Sequence, residues 1–263
     1  MVSDSEVESV ILDEAIEAEV YDRLHEHYAP SYLERVEDYL SLLLDIDHFS
    51  FQYDYLRSIV GDEIFRSHAS LLVSGFGAGS EMVAARRQGF GKIFGVEIDP
   101  FLLEICQKRL GYLTEFHLFI YDGEILPFDA DQFTVITSSH VIEHTRDPNL
   151  YLRECMRVLA PRGYLLLEFP HRYHKIELHT NLRSFEWLPR PMRNAVLRLL
   201  TGALSPLEPD VKSRYHAILA TNLQQISMGG VERMLKRTFY PFSVLNSIEY
   251  HPGIIRCVIQ KNP

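Results

Sequence analysis

Short apolar runs alternate with amphipathic segments from residue 71 to residue 169, a rhythm typical of alternating strands and helices. Asp99-Pro100 and Asp147-Pro148 each join a good N-cap to a proline suited to the first helical turn, so each predicts a helix start. The pattern predicts an α/β fold with a doubly wound, mostly parallel sheet. The five strands predicted in this part of the chain are 71–74, 93–96, 116–121, 133–137 and 164–169.

The rhythm breaks after Pro170. Residues 171–220 are rich in histidine, arginine and proline and are too long for an ordinary loop, so they predict an insertion. Apolar and arginine side chains alternate at helical spacing from Met192 to Leu200, which fits a lid helix, binding of an acidic substrate, or weak contact of 187–200 with an anionic membrane surface. The remaining predicted elements are a helix over 223–236 and an antiparallel hairpin of strands 242–249 and 254–260, which completes seven strands.

Residues 1–67 have a different pattern, with apolar side chains at helical spacing and an aromatic cluster before the first strand. They predict a helical N-terminal extension, followed by a core over 68–263. The extension fits two roles, packing against the core or covering a bound ligand as a lid. The apolar positions are Val7, Val10, Ile11, Ala15, Tyr32, Leu33, Val36, Leu40, Leu43 and Leu44, and the aromatic cluster is Phe49, Phe51, Tyr53 and Tyr55.

Composition narrows the class of protein. A formal net charge of −10 argues against a general nucleic-acid binder. Cys106, Cys155 and Cys257 are far apart and lack metal-binding spacing, which predicts free thiols in a reducing compartment. The acidic N-terminus lacks the features of a signal peptide, and no apolar run approaches the roughly 20 residues of a membrane span. We therefore expect a cytoplasmic protein without a transmembrane segment.

The first chemical signal follows the first predicted strand. Gly75, Gly77 and Gly79 stand at alternate positions, and Glu97 ends the second strand. In βαβ units, a carboxylate about twenty residues beyond a glycine turn grips a ribose diol, so these residues predict a nucleoside site. Ser80 replaces the third glycine of the dinucleotide fingerprint, and the lysine of a phosphate-binding loop is missing.

Three later segments follow the glycine turn and Glu97 in a characteristic order. Together they make residues 71–169 resemble the class I S-adenosylmethionine-dependent methyltransferases, of the type 11/12 kind. The resemblance implies a Rossmann-like sheet and S-adenosyl-L-methionine as the cofactor. The segments that carry it are Asp122-Gly123-Glu124-Ile125-Leu126-Pro127-Phe128, His140-Val141-Ile142-Glu143-His144 and Arg157-Val158-Leu159-Ala160-Pro161-Arg162-Gly163.

The resemblance also implies roles for single residues. Glu97 would accept hydrogen bonds from both ribose hydroxyls, and Asp122 would accept one from the adenine amino group. The family usually has an acidic residue two positions before the first glycine, where this chain has Val73. That departure concerns how the glycine turn and the methionine ammonium group are held. The implied cofactor-binding residues are Gly75, Gly77, Gly79, Glu97, Ile98, Asp122, Gly123, Glu124, Ser138 and Ser139.

The string from His140 to His144 has three interpretations. A zinc-protease motif needs both histidines on one helical face, which a string directly after a strand does not provide. Some metal-assisted O-methyltransferases, including small-RNA 2′-O-methyltransferases and ubiquinone-pathway enzymes, carry a Glu-x-x-Glu-His string here. The small-RNA group adds a histidine before a Phe-Glu-Trp-like segment, as His179 does before Phe185. The third interpretation is that Glu143 and His144 only orient the strand end. The metal hypothesis predicts a divalent ion, softer than magnesium, on His140, Glu143, His144 and His179.

His140, His144 and His171 are the candidate catalytic residues, because the pKa of histidine lies near neutrality. Tyr173 and His174 follow His171 at the edge where open α/β sheets bind ligands. The chain lacks the Asn/Asp-Pro-Pro-Tyr motif of many exocyclic-amine methyltransferases, which favours an oxygen acceptor.

We therefore expect an S-adenosylmethionine-dependent methyltransferase that acts on a small metabolite, sugar or lipid-linked intermediate, with the acceptor bound by the insertion at 171–220. The enzymatic alternative is a metal-assisted RNA-terminal 2′-O-methyltransferase. The departure at Val73 motivates a second alternative, a cofactor-binding regulatory subunit without turnover.

Overall fold

A computed structural model describes residues 12–32, 35–66, 68–173, 185–202, 205–208, 211–212, 215 and 223–263. Three helices precede the sheet: α1 (Glu14–Tyr32), α2 (Val36–Leu44) and α3 (Ile46–Val60). The predicted aromatic cluster lies on α3. Val20, Leu24 and Leu40 pack with Ala78 and Ile105, so these helices rest directly on the core. Val7, Val10, Ile11 and Leu33 of the predicted apolar positions lie outside the described residues.

The sheet has seven strands in the order β3-β2-β1-β4-β5-β7-β6. Strands β1 to β5 are parallel, and β7 runs antiparallel between β5 and β6. The predicted fold class, a Rossmann-like sheet with a C-terminal antiparallel hairpin, is therefore confirmed. The strands are β1 (Ser70–Ser74), β2 (Lys92–Glu97), β3 (Phe116–Ile120), β4 (Phe133–Ser139), β5 (Leu159–Pro170), β6 (Phe242–His251) and β7 (Ile254–Lys261).

Both predicted Asp-Pro helix starts are confirmed. Asp99 accepts a hydrogen bond from the Phe101 amide at 2.9 Å, and Asp147 accepts one from the Asn149 amide at 2.8 Å. Each aspartate satisfies an amide that has no partner within the first helical turn. The helices of the core are α4 (Ser80–Arg87), α5 (Pro100–Leu110), α6 (Pro148–Val158), α7 (Arg190–Thr201) and α8 (Met228–Lys236).

The predicted helix over 223–236 is too long, because α8 begins only at Met228. The Ser227 side chain caps it by accepting a hydrogen bond from the Gly230 amide at 3.2 Å. The preceding backbone is held by tertiary hydrogen bonds instead. The Gln224 amide donates to the Glu143 carbonyl at 2.7 Å, and the Ile226 carbonyl accepts from the Arg172 amide at 2.9 Å. Residues 223–227 are thereby tied to the ends of β4 and β5.

The sheet buries both of its faces. Leu72, Ile136 and Leu165 face the side covered by α6 and α8, whereas Leu71 and Val73 face α3 and α4. Cys106, Cys155 and Cys257 are buried free thiols. Among the described residues, no helix is long and apolar enough to cross a membrane. The carboxyl ends of β1, β2, β4 and β5 remain as the edge at which the candidate site is built.

Candidate active site

The glycine turn after β1 has a backbone that requires glycine. Gly75, Gly77 and Gly79 have φ values of 77°, 54° and 88°. These angles lie in the left-handed region, which other residues rarely adopt. A Cβ on Gly75 would lie 2.5 Å from Val141 Cγ2, and one on Gly79 would lie 2.8 Å from Cys106 Sγ. The turn therefore packs against the loop that follows β4 on one side and against α5 on the other.

Glu97 ends β2 beside this turn and is 7% exposed. Its Oε2 accepts a hydrogen bond from the Gly77 amide at 3.1 Å, and its Oε1 accepts from the Ile98 and Asp99 amides at 2.8 and 3.3 Å. Burial raises the pKa of Glu97, and these three amides partly oppose that shift. A carboxylate offers about four acceptor positions, so three are used and one on Oε2 remains for a ligand.

Asp122 lies at the surface after β3. Its Oδ1 accepts hydrogen bonds from the Glu124 and Ile125 amides at 2.9 and 3.2 Å. These bonds, above all the one from Glu124, lower the pKa of Asp122 and keep it ionised. Gly123, with φ of 82°, approaches Ile98: a Cβ there would lie 3.5 Å from Ile98 Cγ2. An apolar side chain and a carboxylate acceptor thus meet at one place, as an adenine ring would require.

The two predicted serines at the end of β4 face different surroundings. Ser138 is fully buried, and the Tyr151 hydroxyl lies 2.7 Å from its Oγ and 2.9 Å from Ser74 Oγ. The hydroxyl of Ser138 is therefore engaged in a bridge between the sheet and α6. Ser139 lies on the opposite face, where its hydroxyl donates to Gln52 Oε1 on α3 at 2.9 Å. Both roles at the sulfonium stay predictions.

His140 lies between two buried carboxylates. Its Nδ1 is 3.4 Å from Glu143 Oε1, and its Nε2 is 3.4 Å from Glu168 Oε1. Burial lowers the pKa of His140, but the contacts with the two carboxylates outweigh it and raise the pKa to about 10. The imidazole therefore holds its proton at neutral pH, although 40% of the side chain remains exposed.

Glu168 ends β5 and anchors this arrangement. Its Oε2 accepts a hydrogen bond from Arg256 Nε on β7 at 2.7 Å, and its Oε1 accepts one from the Tyr250 hydroxyl. Burial alone would raise its pKa, but His140 and Arg256 lower the pKa of Glu168 to about 2. Sequence reasoning missed Glu168 and its partners Arg256 and Tyr250. The available signal was a charged residue at the end of an otherwise apolar buried strand.

Glu143 differs from Glu168 in having one oxygen without a partner. Its side chain is 1% exposed and its Oε1 pairs with His140 at 3.4 Å, whereas its Oε2 accepts no hydrogen bond from the described part of the chain. Buried polar groups in folded proteins are nearly always hydrogen-bonded, because leaving one unpaired costs about 1–3 kcal/mol. Glu143 is therefore ready to accept a hydrogen bond from a bound ligand.

The remaining predicted histidines lie at two further places on this edge. His144 is exposed, and its amide closes a short turn by donating to the Val141 carbonyl at 2.9 Å. His171 follows β5, with its amide 2.7 Å from the Gly253 carbonyl and its ring edge-on to Tyr173. His174 lies outside the described residues.

The metal hypothesis stays a prediction. Within the described residues, no group of three His, Cys, Asp or Glu side chains is arranged to hold an ion. Both ring nitrogens of His140 face carboxylates, so binding a metal would require the ring to lose a proton and leave one partner. His179, the fourth proposed ligand, lies outside the described residues.

The strand order and the glycine turn are those of the Rossmann-like fold found in class I S-adenosylmethionine-dependent methyltransferases. A family model described as "Methyltransferase domain" matches residues 72–167. The ubiquinone biosynthesis O-methyltransferase of Coxiella burnetii is 27% identical over 108 residues, which are 37% of this chain and 44% of that protein. A ubiquinone/menaquinone biosynthesis C-methyltransferase of Paraburkholderia phytofirmans is 25% identical over 169 residues, or 61% and 67% of the two chains.

Solved structures agree with the fold. An S-adenosylmethionine-dependent methyltransferase from Aquifex aeolicus superposes with a TM-score of 0.56 at 12% identity, over 85% of this chain and 97% of that one. The complex between the Haloferax volcanii Trm112 methyltransferase activator and the putative methyltransferase contains a chain with a TM-score of 0.58 at 14% identity. That match covers 97% of this chain and all of the other.

Residues 72–167 thus match a methyltransferase domain, in agreement with the predicted class and cofactor. The chain spans less than half the length of the Coxiella relative. The described residues fit S-adenosylmethionine: Glu97 keeps a vacant acceptor position, Asp122 stays ionised, and Gln52 Nε2 is a buried amide without a hydrogen bond.

Proposed function

We propose that this protein is an enzyme that transfers the methyl group of S-adenosylmethionine to an oxygen of a small metabolite, sugar or lipid-linked intermediate. The observation that carries the proposal is Glu143, a buried carboxylate whose Oε1 pairs with His140 and whose Oε2 has no partner among the described residues. The loop that holds it packs on the glycine turn, through Val141 against Gly75. A hydroxyl group needs such an acceptor for its proton as its oxygen is methylated.

The start of the insertion and the segment that follows it support an acceptor site beside Glu143. The backbone at Gln224 holds the carbonyl of Glu143, and the backbone at Ile226 holds Arg172. A contact of the helical extension supports its role as a lid over the cofactor: Ser80 Oγ, directly after the glycine turn, donates a hydrogen bond to the Leu43 carbonyl of α2 at 2.9 Å. Both contacts bring elements outside the βαβ core to the candidate site.

The mechanism assigns separate tasks to the residues at this edge. The glycine turn, Glu97 and Asp122 bind and orient the nucleoside, and the bound cofactor supplies an electrophilic methyl group. Glu143 accepts the hydrogen bond of the attacking hydroxyl and takes its proton. His140 stays protonated and holds the position of Glu143. Positioning of this kind contributes about 7–11 kcal/mol in well-oriented reactions.

His171 and His144 are the alternative bases at this edge. A base must be unprotonated at the working pH, and the pKa of about 10 removes His140 from that role. Substitution distinguishes the remaining groups. We expect Glu143→Gln to lower kcat by about 10²-fold or more, since an amide cannot take the proton, whereas His171→Asn and His144→Asn should lower it far less.

The test uses the purified chain, methyl-labelled S-adenosylmethionine and a panel of phenols, catechols and sugar diols. A methoxy product that Glu143→Gln abolishes, with unchanged binding of S-adenosylhomocysteine, would support the proposal. Methylation at carbon or nitrogen would contradict the assignment to oxygen. Loss of activity with a chelator would favour the metal hypothesis instead. We also propose a cytoplasmic location, which the three buried free thiols fit.

A further inference from the structure

Val73 stands at the position where the methyltransferases that this chain resembles usually have an acidic residue. Its side chain is fully buried on the face of the sheet covered by α3 and α4. It pairs in register with Thr137 of β4. Register partners in neighbouring parallel strands point to the same face, so Thr137 marks the surroundings of the missing carboxylate.

A second carboxyl group reaches this place from a different element. Glu81 lies in the first turn of α4, directly after the glycine turn, and is 3% exposed. The Tyr53 hydroxyl donates to its Oε1 at 3.3 Å. The side chains of Thr137 and Gln52 face the same carboxyl group and act to lower its pKa. Glu81 therefore stands beside Val73, on the same face of the sheet.

The polar groups around Glu81 are incompletely bonded. Thr137 Oγ1 and Gln52 Nε2 are buried; both side chains lie against the Glu81 carboxyl group, but neither atom forms a hydrogen bond of good geometry within the described part of the chain. Gln52 Oε1 accepts from Ser139 Oγ at 2.9 Å, which links Glu81 through Gln52 to the carboxyl end of β4. The resemblance puts the sulfonium of the cofactor at this end of β4, and it puts the amino-acid portion at the glycine turn that directly precedes Glu81.

Among the described residues, no Lys, Arg or His side chain forms an ion pair with Glu81. Burial, with a smaller contribution from Glu168, raises the pKa of Glu81 to about 7. Arg256 and His140 already pair with Glu168. A buried carboxylate stays ionised only when a positive group pairs with it or several donors form hydrogen bonds to it. Tyr53, Thr137 and Gln52 supply part of the donors around Glu81, and a bound ligand would have to supply the positive group.

We propose that Glu81 replaces the acidic residue missing at Val73 and binds the α-ammonium group of the cofactor's methionine portion. The carboxyl group comes from the helix after the glycine turn instead of the strand before it. Gln52 is then a positioning residue that connects Glu81 with Ser139. The departure at Val73 is compensated within the same site and does not imply a subunit without turnover.

The experiment compares two adenosine ligands by calorimetry. S-adenosylhomocysteine carries the ammonium group, and 5′-methylthioadenosine lacks the whole amino-acid portion. We expect Glu81→Gln to weaken binding of S-adenosylhomocysteine by about tenfold or more and to leave 5′-methylthioadenosine within about twofold, because the lost pair is a charge-assisted one. Glu154→Gln is the matched control, since Glu154 is a buried carboxylate paired with Arg157. It should change both affinities equally.

The proposal would be overturned if Glu81→Gln bound S-adenosylhomocysteine with unchanged affinity. It would also be overturned if a folded Glu81→Gln variant lost affinity equally for S-adenosylhomocysteine and 5′-methylthioadenosine. The wild-type protein provides a test that does not depend on folding of the variant. Its affinity for S-adenosylhomocysteine relative to 5′-methylthioadenosine should rise about tenfold between about pH 6 and about pH 8, as Glu81 ionises. Tyr53 and Glu168, which face Glu81, do not titrate in this interval, because their pKa values are far above and far below it. A flat ratio would overturn the proposal.

Discussion

Glu97→Ala is the substitution for which the structure gives the clearest expectation. The carboxylate is buried at the end of β2 and is held by three backbone amides, those of Gly77, Ile98 and Asp99. In this orientation one acceptor position on Oε2 stays open beside the glycine turn. A ribose hydroxyl can donate to that position directly. The second hydroxyl must share the carboxylate with the Gly77 amide.

The expected loss follows from this count of donors. A hydrogen bond to a charged group contributes about 1.5–3 kcal/mol. One complete bond and one shared bond therefore amount to about 2–4 kcal/mol, which corresponds to about 30- to 1,000-fold in the dissociation constant. The substitution also frees three amides, so part of the effect is a less ordered glycine turn.

Calorimetry with S-adenosylhomocysteine measures the loss, and thermal unfolding of the same sample separates it from destabilisation. Glu115→Ala is the control. Glu115 forms an ion pair of 3.2 Å with Arg86, and this pair does not belong to the glycine turn. Its dissociation constant should match that of the wild type. A Glu97→Ala variant that unfolds like the wild type and binds S-adenosylhomocysteine with unchanged affinity would refute the role of Glu97 at the ribose.

Two further predictions concern the groups that hold the site. Gly79→Ala should destabilise the fold by about 1–3 kcal/mol in urea unfolding, since its Cβ would lie 2.7 Å from Leu110 Cδ1 at a φ of 88°; an unchanged midpoint would contradict this. Arg256→Met removes the hydrogen bond to Glu168 Oε2, leaves His140 and Tyr250 on Oε1, and should cost about 1.5–3 kcal/mol. The depressed pKa of Glu168 contributes stability above about pH 4.5 that is lost as the pH falls towards about 2. Acid titration of the wild type should show this loss, and the Arg256→Met variant should show less of it.

The order of strands and helices could be predicted from the sequence because each signal is local. Apolar runs of strand length and the caps at Asp99 and Asp147 depend only on neighbouring residues. The prediction of helix for 223–227 was wrong because the conformation of this segment depends on distant residues. Its apolar spacing suits a helix, but hydrogen bonds to Glu143 and Arg172, both distant in the chain, hold it in another conformation.

The residues of the candidate site also fall into those that local sequence suggests and those that only the folded chain brings together. Glu97 and Asp122 end strands and follow recognisable motifs, so the sequence alone suggests them. Glu168, which pairs with His140, and its own partners Tyr250 and Arg256 come from β5, β6 and β7, and only the packing of the sheet brings them together. Glu81 escaped notice because a glutamate in the first turn of a helix is common at exposed positions, where it favours the helix dipole. Its burial becomes visible only in the folded chain.

The central claim is methyl transfer from S-adenosylmethionine to an oxygen at the edge formed by β4 and β5. The most direct measurement follows label from methyl-tritiated S-adenosylmethionine into a panel of hydroxylated acceptors, with mass spectrometry of the product. The account predicts a methoxy product from the wild type, formed together with S-adenosylhomocysteine, and its loss in Glu143→Gln. Label on carbon or nitrogen, or an undiminished yield from Glu143→Gln, would contradict it.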